Sequence, residues 1–346
     1  MDELKKQFWV ILIYNNPCRY KKRLQLFKEH VQRMIHYNVN ICIVELTYGN
    51  RPYDTLDLNV QIHIPLCTNS ILWHKENMIN IGIQHLPSDW NYVAWIDTDI
   101  DFVNKNWVED TLHQLQHHSV VQLFSDYVDL GPKNEIMTTG KSFMYCYVNN
   151  LPPNMTSSSL HSDSDSNSIS TSFPSSSYYY YSYDTNTIPK EKRNIHVNNK
   201  VYWHPGYCWA ATKQALNTTG GLYELSILGS GDHQMALCLI GKGHVSIPSK
   251  TTRDYKTSVL NWQKRALRLH KNVGYVEGTI YHYFHGKKSD RRYNERWLVL
   301  EENKYQPSVD VHKDIQGILV LYEDNHKLRD DILMYFRQRN EDSIDL

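Results

Sequence analysis

The sequence lacks several features that would assign it to a class at once. Its longest apolar run near the start, residues 8–14, is far shorter than the roughly 20 residues that span a bilayer, and no later run comes close. The first residues, MDELKKQ, do not have the layout of a secretory signal peptide. The six cysteines form no C-x-x-C pair, which favours reduced, mostly buried thiols. We therefore expect a cytoplasmic protein without a transmembrane segment.

The chain also lacks an excess of charge of either sign. Its 37 lysines and arginines balance 37 aspartates and glutamates, whereas a protein that coats DNA or RNA carries a strongly basic surface. We therefore expect no nucleic-acid partner.

Residues with aromatic or imidazole rings are abundant, with 25 Tyr, 9 Trp and 18 His. The richness in Tyr, Ile and Asn is typical of an AT-rich genome such as that of a giant DNA virus or a protist, which would mean host cytoplasm if the protein is viral.

The N-terminal part of the chain alternates between predicted strands and helices. A length of 346 residues, at roughly 150 residues per domain, allows two domains or one large α/β domain. Continuous apolar runs predict buried strands at 8–14, 40–46, 60–65 and 92–96, and apolar residues at helical spacing predict helices at 20–37 and 73–85. This alternation predicts an α/β fold whose mostly parallel sheet is flanked by helices on both faces.

The composition changes between residues 151 and 194. Thirteen serines lie between 157 and 182, around a tyrosine cluster at 178–181. Such a stretch cannot bury enough apolar surface to offset its ordering entropy, so we expect a disordered, low-complexity insertion. Candidate catalytic and binding residues lie on both sides of this insertion, so we place it inside one domain. We assign residues 1–306 to that domain and 307–346 to a C-terminal helical tail that packs on it.

The chain after the insertion mixes helices and extended runs. The patterns predict an extended aromatic stretch at 201–211, a helix from about 231 to 240, a helix at 259–270 and an extended stretch at 274–283. The tail contains a short apolar run at 315–321 and a predicted final helix at 324–339.

An acidic cluster follows the predicted strand 92–96. Asp97, Asp99 and Asp101 alternate along an extended segment, so all three can project to one side. They lie at the carboxyl end of an apolar parallel strand, where open α/β sheets bind ligands. Clustered carboxylates need a cation to compensate them, and oxygen ligands favour Mg²⁺ or Mn²⁺, usually with phosphate completing the shell. The alternative is a solvated acidic turn.

A histidine pair stands in the late segment YHYFHG. His282 or His285 could add a nitrogen ligand to a carboxylate-bound Mn²⁺. A basic run follows, which could neutralise a diphosphate. Its members are Lys287, Lys288, Arg291, Arg292 and Arg296. The alternative is one packed histidine, one exposed histidine and a solvated basic loop.

A glycine-rich segment, GSGDH, places Asp232 at the start of a predicted helix. Glycines let the backbone approach a ligand closely. Asp232 is therefore either the helix cap or a general base that deprotonates an acceptor hydroxyl. A strand-like stretch shortly before it carries rings that could pack on a sugar or in the protein core, namely Trp203, His204, Tyr207 and Trp209.

The order of these motifs resembles that of GT-A fold glycosyltransferases of the family 2-like superfamily, near the galactosyltransferase and polypeptide N-acetylgalactosaminyltransferase C-terminal pattern. The similar segments are FWVILIYNNP, WHKENMIN, WIDTDIDF, GYCWAATKQALNTTGGLYE, GSGDH and YHYFHGKKSDRRYNER. They cover most of residues 7–300 apart from the insertion. The resemblance implies a GT-A, Rossmann-like fold and a glycosyltransferase of hexosyl- or N-acetylhexosaminyltransferase type.

The resemblance also implies roles for single residues. Asp97 would contact the nucleotide and ribose, Asp99 would bind the metal, and His282 or His285 would be the late metal ligand. Further contacts to the nucleotide sugar would come from Lys75, Asn80, Trp209, Gly221, Arg292 and Arg296, with the last two near the phosphates.

The helix start at Gly231 and Asp232 departs from the pattern of the family. Asp232 takes the place of the catalytic or acceptor-orienting acid, but relatives often carry Glu-Asp where this chain has Gly-Asp. Only one carboxylate is therefore left at this point of the sequence.

The implied reaction moves a sugar from a nucleotide-sugar donor, with UDP as the expected nucleotide, to a hydroxyl of a glycan or glycoprotein acceptor. Mn²⁺ or Mg²⁺ would be the cofactor, since a metal and basic residues stabilise a departing diphosphate. Two alternatives stay open. One is a haloacid-dehalogenase-like phosphatase, which also places D-x-D after an apolar strand but usually near the N-terminus. The other is a non-catalytic sugar-binding relative that keeps the fold.

Overall fold

The computed structural model describes residues 1–152, 203–293, 295–322 and 325–344, so the predicted Ser/Tyr-rich insertion lies outside the described residues from position 153 onward. The strands are β1 Phe8–Asn15, β2 Asn40–Tyr48, β3 Ile62–Thr68, β4 Tyr92–Ile96, β5 Ile100–Phe102, β6 Val120–Gln122, β7 Asp126–Leu130, β8 Ile136–Lys141, β9 Cys208–Thr212, β10 Val273–Tyr275, β11 Thr279–His282, β12 Val311–Lys313 and β13 Leu319–Leu321. The α-helices are α1 Asp2–Lys6, α2 Lys21–His36, α3 Lys75–Gln84, α4 Trp107–Gln114, α5 Phe143–Val148, α6 Lys213–Thr219, α7 Gly231–Leu239, α8 Arg253–Ala266, α9 Glu295–Glu302, α10 Pro307–Asp310 and α11 His326–Arg337.

A seven-stranded sheet forms the centre of the fold, in the order β10-β6-β9-β4-β1-β2-β3. The pairs β1–β2, β1–β4, β2–β3 and β6–β10 are parallel, and β9 is antiparallel to both of its neighbours. The chain proceeds from β1 to β2 and β3 on one side, and then places β4 on the other side of β1. The direction of strand order therefore reverses between β1 and β4.

Both faces of this sheet are covered. Phe8, Val10 and Leu12 of β1 belong to one buried cluster with residues of α2 and α4, whereas Trp9 and Ile11 belong to a second cluster with residues of α3, α7 and α8. Successive side chains of a strand point to opposite faces, which explains this division. The predicted α/β fold with a mostly parallel sheet flanked by helices is confirmed.

Gly82 lets α3 approach the sheet closely. A Cβ atom at this position would lie 3.0 Å from Val44 and 3.2 Å from Ile11, so a larger residue would push the helix away from β1 and β2. The helix must stay close because its first residues, beginning at Lys75, border the site described below.

A second sheet of four strands, β5-β11-β7-β8, was not predicted as a unit. The stretch 274–283, expected to be one extended run, is divided between β10 in the central sheet and β11 in the second sheet. The strands of the second sheet are short, and their apolar content is too low to give a clear sequence pattern. Because β11 lies between β5 and β7, residues far apart in sequence meet there.

The chain from α10 onward packs on the second cluster of the core. Leu328, Ile332, Tyr335 and Phe336 of α11 are buried in it. The end of the apolar run 315–321 forms β13 of the β12–β13 hairpin. The predicted final helix is present as α11, which is shorter than the range 324–339, and position 324 lies outside the described residues. The division of the chain at residues 306 and 307 stays a prediction.

Two other predictions are refined. The helix expected at 259–270 begins earlier, at Arg253, where Thr252 caps it by accepting a hydrogen bond from the Tyr255 backbone N–H at 3.2 Å. All six cysteines are free, and four of them are buried.

Among the described residues, none of the helices combines the length and apolar character that a membrane crossing requires.

Candidate functional site

A cleft open to solvent lies at the carboxyl ends of β1 and β4. Its volume is about 840 Å³ when the open solvent at its mouth is included. The cleft lies where strand order reverses, which is the point at which open α/β sheets bind ligands. Its walls include residues 13–15 after β1, residues 96–99 after β4, residues 73–75 at the start of α3, and Arg23, His285, Phe336, Arg339 and Glu341.

The three aspartates after β4 diverge. Asp97 forms an ion pair with Lys75 at the start of α3, and Asp99 faces the late histidines. Asp101 lies in β5, with its Oδ1 atom 3.7 Å from Arg33 Nε. The prediction that all three project to one side is wrong, because the chain turns at residues 97–99 and passes from the central sheet to the second sheet.

Both candidate histidines lie beside Asp99. His285 Nε2 is 2.8 Å from Asp99 Oδ2, and His282 Nε2 is 3.7 Å from the same oxygen. The backbone N–H of Tyr283 donates to the carbonyl of Asp99 at 2.7 Å, which joins the turn after β4 to the end of β11. The sequence left a choice between His282 and His285, and the structure brings both to the same carboxylate.

Asp129 of β7 supports His282 from behind. His282 Nδ1 lies 2.7 Å from Asp129 Oδ1, which also accepts a hydrogen bond from the Tyr207 hydroxyl at 2.8 Å. The other carboxylate oxygen accepts from Thr138 at 2.6 Å and from Lys288. Burial alone would raise the pKa of Asp129, but the contacts with His282 and Lys288 hold it well below its usual range. Asp129 is therefore an ionised acceptor that orients His282.

The ring nitrogens that face Asp99 are the ones that could bind a cation. When neutral His282 donates its Nδ1–H to Asp129, its Nε2 atom is unprotonated. Arg291 donates to the lone pair of His285 Nε2 at 3.0 Å, so a cation could bind this nitrogen only in place of that hydrogen bond. One atom each of Asp99, His282 and His285 lie within 4.8 Å of one another. The Oδ1 atom of Asp99 is buried and has no hydrogen-bond partner among the described residues. This convergence of one carboxylate and two imidazoles fits a divalent cation, which would take the place of the His282 Nε2 proton and of the Arg291 hydrogen bond.

The pKa values of the two histidines shift in opposite directions. Burial would lower the pKa of His282, but Asp99 and Asp129 outweigh it and raise the pKa to about 9. Burial and the charge of Arg291 lower the pKa of His285 to about 4 against the pull of Asp99, so this ring stays neutral. Two imidazoles and one carboxylate suit Mn²⁺ better than Mg²⁺, since Mg²⁺ prefers oxygen ligands.

Lys75 lies at the centre of a second group of carboxyls. Burial raises the pKa of Asp97 to about 6, opposed by Lys75 and reinforced by Asp99 and Asp232. Burial also raises the pKa of Glu76 to about 8, with Lys75 opposing and Asp232 reinforcing the shift. The fields of Asp97, Asp232 and Glu76 in turn raise the pKa of Lys75 although burial opposes this. Lys75 therefore carries the positive charge that these acids share.

Asp232 lies in the first turn of α7 and is half-buried. The cap position belongs to Ser230, and Asp232 Oδ1 accepts from the backbone N–H of His233 at 2.8 Å. Asp232 also borders an apolar cavity that is lined by Trp209 and Gly221, two of the predicted sugar-binding residues. The predicted site thus occupies two neighbouring spaces, which are the cleft with Asp97 and this cavity.

Asn80 is buried below the cleft and does not line it. Its side-chain amide donates to the Leu222 carbonyl and to Glu224, both at 3.0 Å, and its carbonyl accepts from the Leu222 backbone N–H at 2.8 Å. Gly221 has a positive φ of 81°, and a Cβ atom there would lie 2.5 Å from Asn80 Oδ1. Asn80 and Gly221 together fix the loop before α7.

The two arginines predicted near the phosphates also stay outside the cleft lining. Arg292 is exposed, just after a short 3₁₀ turn. Arg296 is buried, donates to the Tyr293 carbonyl at 3.0 Å and lies over the Tyr293 ring at 4.8 Å. The structure instead places Arg23 and Arg339 in the cleft wall.

Sequence reasoning missed several residues of the site. Asp129, Arg23, Arg339 and Glu341 carry no local motif, because their neighbours in sequence are unrelated to the site. Trp73 lies two residues before Lys75, which was predicted to contact the nucleotide sugar. Its position in the sequence did not indicate that its ring would face the cleft.

Comparisons with known proteins give distant likenesses. No protein-family model matches the chain, and no curated protein matches it. The solved catalytic domain of Drosophila β1,4-galactosyltransferase 7 in complex with xylobiose has a TM-score of 0.37 at 12% identity, over 93% of this chain and 97% of that chain. A mutant of the same enzyme in complex with manganese, UDP-Gal and xylobiose gives the same values.

A third solved structure is described as a nucleotide-diphospho-sugar transferase from Desulfovibrio desulfuricans G20. Its TM-score is 0.31 at 11% identity, over 86% of this chain and 95% of that chain. None of the three is described as viral, so the viral origin expected from composition gains no support. Likenesses at this level assign neither a family nor an activity, and the case for function depends on the geometry of the site.

Proposed function

We propose that the protein is a metal-dependent glycosyltransferase that uses a nucleotide-sugar donor. The observation that carries the proposal is the convergence of Asp99, His282 and His285 at the carboxyl end of β4. It lies beside a cleft at the reversal of strand order, where nucleotides bind in open α/β sheets. The resemblance of the sequence motifs to those of GT-A glycosyltransferases independently supports the same function.

Asp99, His282 and His285 would hold the ion, with Mn²⁺ preferred over Mg²⁺. When bound, the ion supplies positive charge to a departing nucleoside diphosphate. Asp129 keeps the His282 ring in the tautomer that a ligand needs. Lys75 and Asp97 would face the nucleotide from the other side of the cleft.

Asp232 is the proposed general base. It is half-buried, within the electrostatic reach of Lys75 and at the border between the cleft group and the apolar cavity. A carboxylate in this position can accept the proton of an acceptor hydroxyl as the new glycosidic bond forms. Trp209 and Gly221, which line the small apolar cavity beside Asp232, stay predicted contacts of the sugar.

The finer assignments rest on the resemblance of the sequence alone. They are UDP as the nucleotide, a hexosyl or N-acetylhexosaminyl group as the transferred sugar, and a hydroxyl of a glycan or glycoprotein as the acceptor. Asn80, Arg292 and Arg296 would then act on the donor through the loops that they stabilise or through a change of position. The cytoplasmic location and the lack of a nucleic-acid partner also stay predictions.

A panel of nucleotide sugars tests the proposal. The purified chain is incubated with each donor, with a mixture of glycan acceptors and with Mn²⁺, Mg²⁺ or Fe²⁺, and release of nucleoside diphosphate is measured. We expect Mn²⁺-dependent release from at least one donor, and its loss in Asp99→Ala. The matched control is Asp101→Asn, because Asp101 lies two residues away and faces Arg33.

Two outcomes would favour the alternatives. Release of phosphate from phosphomonoesters without release of nucleoside diphosphate would indicate a phosphatase. No turnover of any donor, together with unchanged sugar binding in Asp99→Ala, would indicate a non-catalytic sugar-binding protein. Either result contradicts the glycosyltransferase proposal.

A further inference from the structure

The C-terminal segment places a carboxylate between two arginines inside the cleft. Glu341 Oε2 accepts from Arg23 Nε at 2.8 Å, and Glu341 Oε1 accepts from Arg339 Nε at 2.8 Å and from Arg23 Nη2. All three residues line the cleft, although Glu341 is only 1% exposed. Burial would raise the pKa of Glu341, but Arg23 and Arg339 hold it well below its usual range, so the carboxylate is ionised.

Arg23 and Arg339 are also held in place by residues other than Glu341. Arg23 Nη1 donates to the backbone carbonyl of Asn15, at the end of β1, at 2.5 Å. Arg339 lies over the Trp73 ring at 5.1 Å and donates to the Tyr335 hydroxyl at 3.3 Å. The guanidinium groups would therefore keep their positions if another anion replaced the carboxylate.

The arginine pair is continuous with the candidate metal ligands. Gly286, which follows His285, packs against the C-terminal segment so closely that a Cβ atom would lie 2.7 Å from the Asn340 carbonyl oxygen and 3.0 Å from the Glu341 Cα atom. Its φ of 87° is in the region that favours glycine. Asp99, His285 and the arginine pair thus line one cleft.

We propose that Arg23 and Arg339 bind the diphosphate of the donor, and that the Glu341 carboxylate occupies their site until a nucleotide replaces it. Guanidinium groups bind carboxylates and phosphates with the same fork geometry. Two arginines and one glutamate leave one net positive charge, and exchanging a carboxylate for a diphosphate places more negative charge between the same two cations. The inference rests on the proposed function, because it names the residues that receive the donor's phosphates.

The C-terminal segment must then yield when the ligand enters. Glu341 is buried in the cleft wall, so a diphosphate can reach the two arginines only if residues 340–344 move away from Arg23 and Gly286. A purely structural ion pair that fastens the segment to α2 would instead stay closed.

Opposite effects of two substitutions distinguish these possibilities. Calorimetry measures the binding of UDP, and separately of inorganic pyrophosphate, to the full chain in the presence of Mn²⁺. We expect Arg339→Gln to weaken both ligands at least about tenfold, since a charged hydrogen bond is lost. We expect Glu341→Gln to tighten both several-fold, since the competing anion is removed. The matched control is Arg337→Gln, an exposed arginine two residues from Arg339, which should bind like the wild type.

A second measurement keeps the test independent of variant folding. In the wild-type chain, adding UDP and Mn²⁺ should increase amide hydrogen exchange in residues 340–344. Unchanged exchange there, or equal affinities of wild type, Arg339→Gln and Glu341→Gln, would overturn the inference and leave the proposed function standing. If the wild-type chain binds neither UDP nor pyrophosphate, the proposed function itself fails.

Discussion

His282 and Asp129 form a buried pair in which Nδ1 lies 2.7 Å from Oδ1, so the ring's other nitrogen faces Asp99. The pair bridges β11 and β7, whose register places His282 directly beside Asp129. A carboxylate behind a ligating histidine fixes the ring's orientation and tautomer. The candidate metal centre therefore depends on a residue that does not itself face the cleft.

Asp129→Asn should weaken Mn²⁺ binding by about 10- to 100-fold, because the amide no longer holds the His282 ring in the ligand tautomer. The measurement is a calorimetric titration of the chain with Mn²⁺. Asp126→Asn is the matched control on the same strand, since Asp126 pairs with Lys141 instead of a candidate ligand. Equal Mn²⁺ affinity in Asp129→Asn and wild type would show that Asp129 has only a structural role.

Asp232→Asn should lower the rate of sugar transfer by about 10²- to 10⁴-fold, the usual contribution of a general base. Affinity for UDP in the presence of Mn²⁺ should stay at the wild-type value, because Asp232 is not among the residues that line the cleft. Steady-state kinetics and calorimetry on the same preparation separate the two effects. Asp254→Asn is the control, as another aspartate in the first turn of a helix. A loss of UDP binding in Asp232→Asn would contradict the assigned role.

Glu76 predicts a specific pH dependence of stability. The carboxyl is buried, and its Oε2 atom has no hydrogen-bond partner in the part of the chain that the structure describes. Burial raises its pKa from 4.5 to about 8. Below pH 4.5 the group is protonated in both folded and unfolded chains. Between these values the unfolded chain ionises first, so the free energy of unfolding falls as pH rises towards 8, on the order of a few kcal/mol.

Glu76→Gln should remove this dependence. Urea unfolding at pH 5, 7 and 9 should show that the variant gains stability relative to the wild type as pH rises. Glu29→Gln, an exposed glutamate on α2, is the control and should leave the pH profile unchanged. Parallel profiles for Glu76→Gln and wild type would show that Glu76 is ionised in the folded chain.

Glu76 also contributes a carboxyl at the start of α7. A Cβ atom on Gly231 would lie 2.4 Å from Glu76 Oε1, so the Glu76 carboxyl occupies the space into which a side chain at 231 would project. The sequence has one acid, Asp232, at the start of α7. The structure brings a second carboxyl to the same place from α3.

The sequence predicted the first four strands of the central sheet, because they are apolar and separated by clear helical patterns, whereas the three-residue strand β6 was not predicted. Asp99 was identifiable for the same reason, since it follows such a strand. Asp101 was misplaced because residues 97–99 turn into a different sheet, and no sequence pattern marks that turn. The strands of the second sheet are too short to show a period.

The charged residues of the cleft were the least predictable part of the site. Arg23 lies at the start of α2, and Arg339 and Glu341 lie near the end of the chain, so only the packing of α11 brings them together. The basic run after His285 suggested Arg292 and Arg296 by proximity in sequence, yet one is exposed and the other is bound to its own loop. Lys288 from that run binds Asp129 instead.

The most direct test of the central claim is anomalous diffraction at the manganese edge from crystals of the chain grown with Mn²⁺ and UDP. We expect one strong anomalous peak at bonding distance from Asp99, His282 and His285. The diphosphate should lie in the cleft, between that peak and the carboxyl end of β1. No peak at these three residues, or UDP bound elsewhere with the cleft empty, would contradict the proposed metal-dependent donor site.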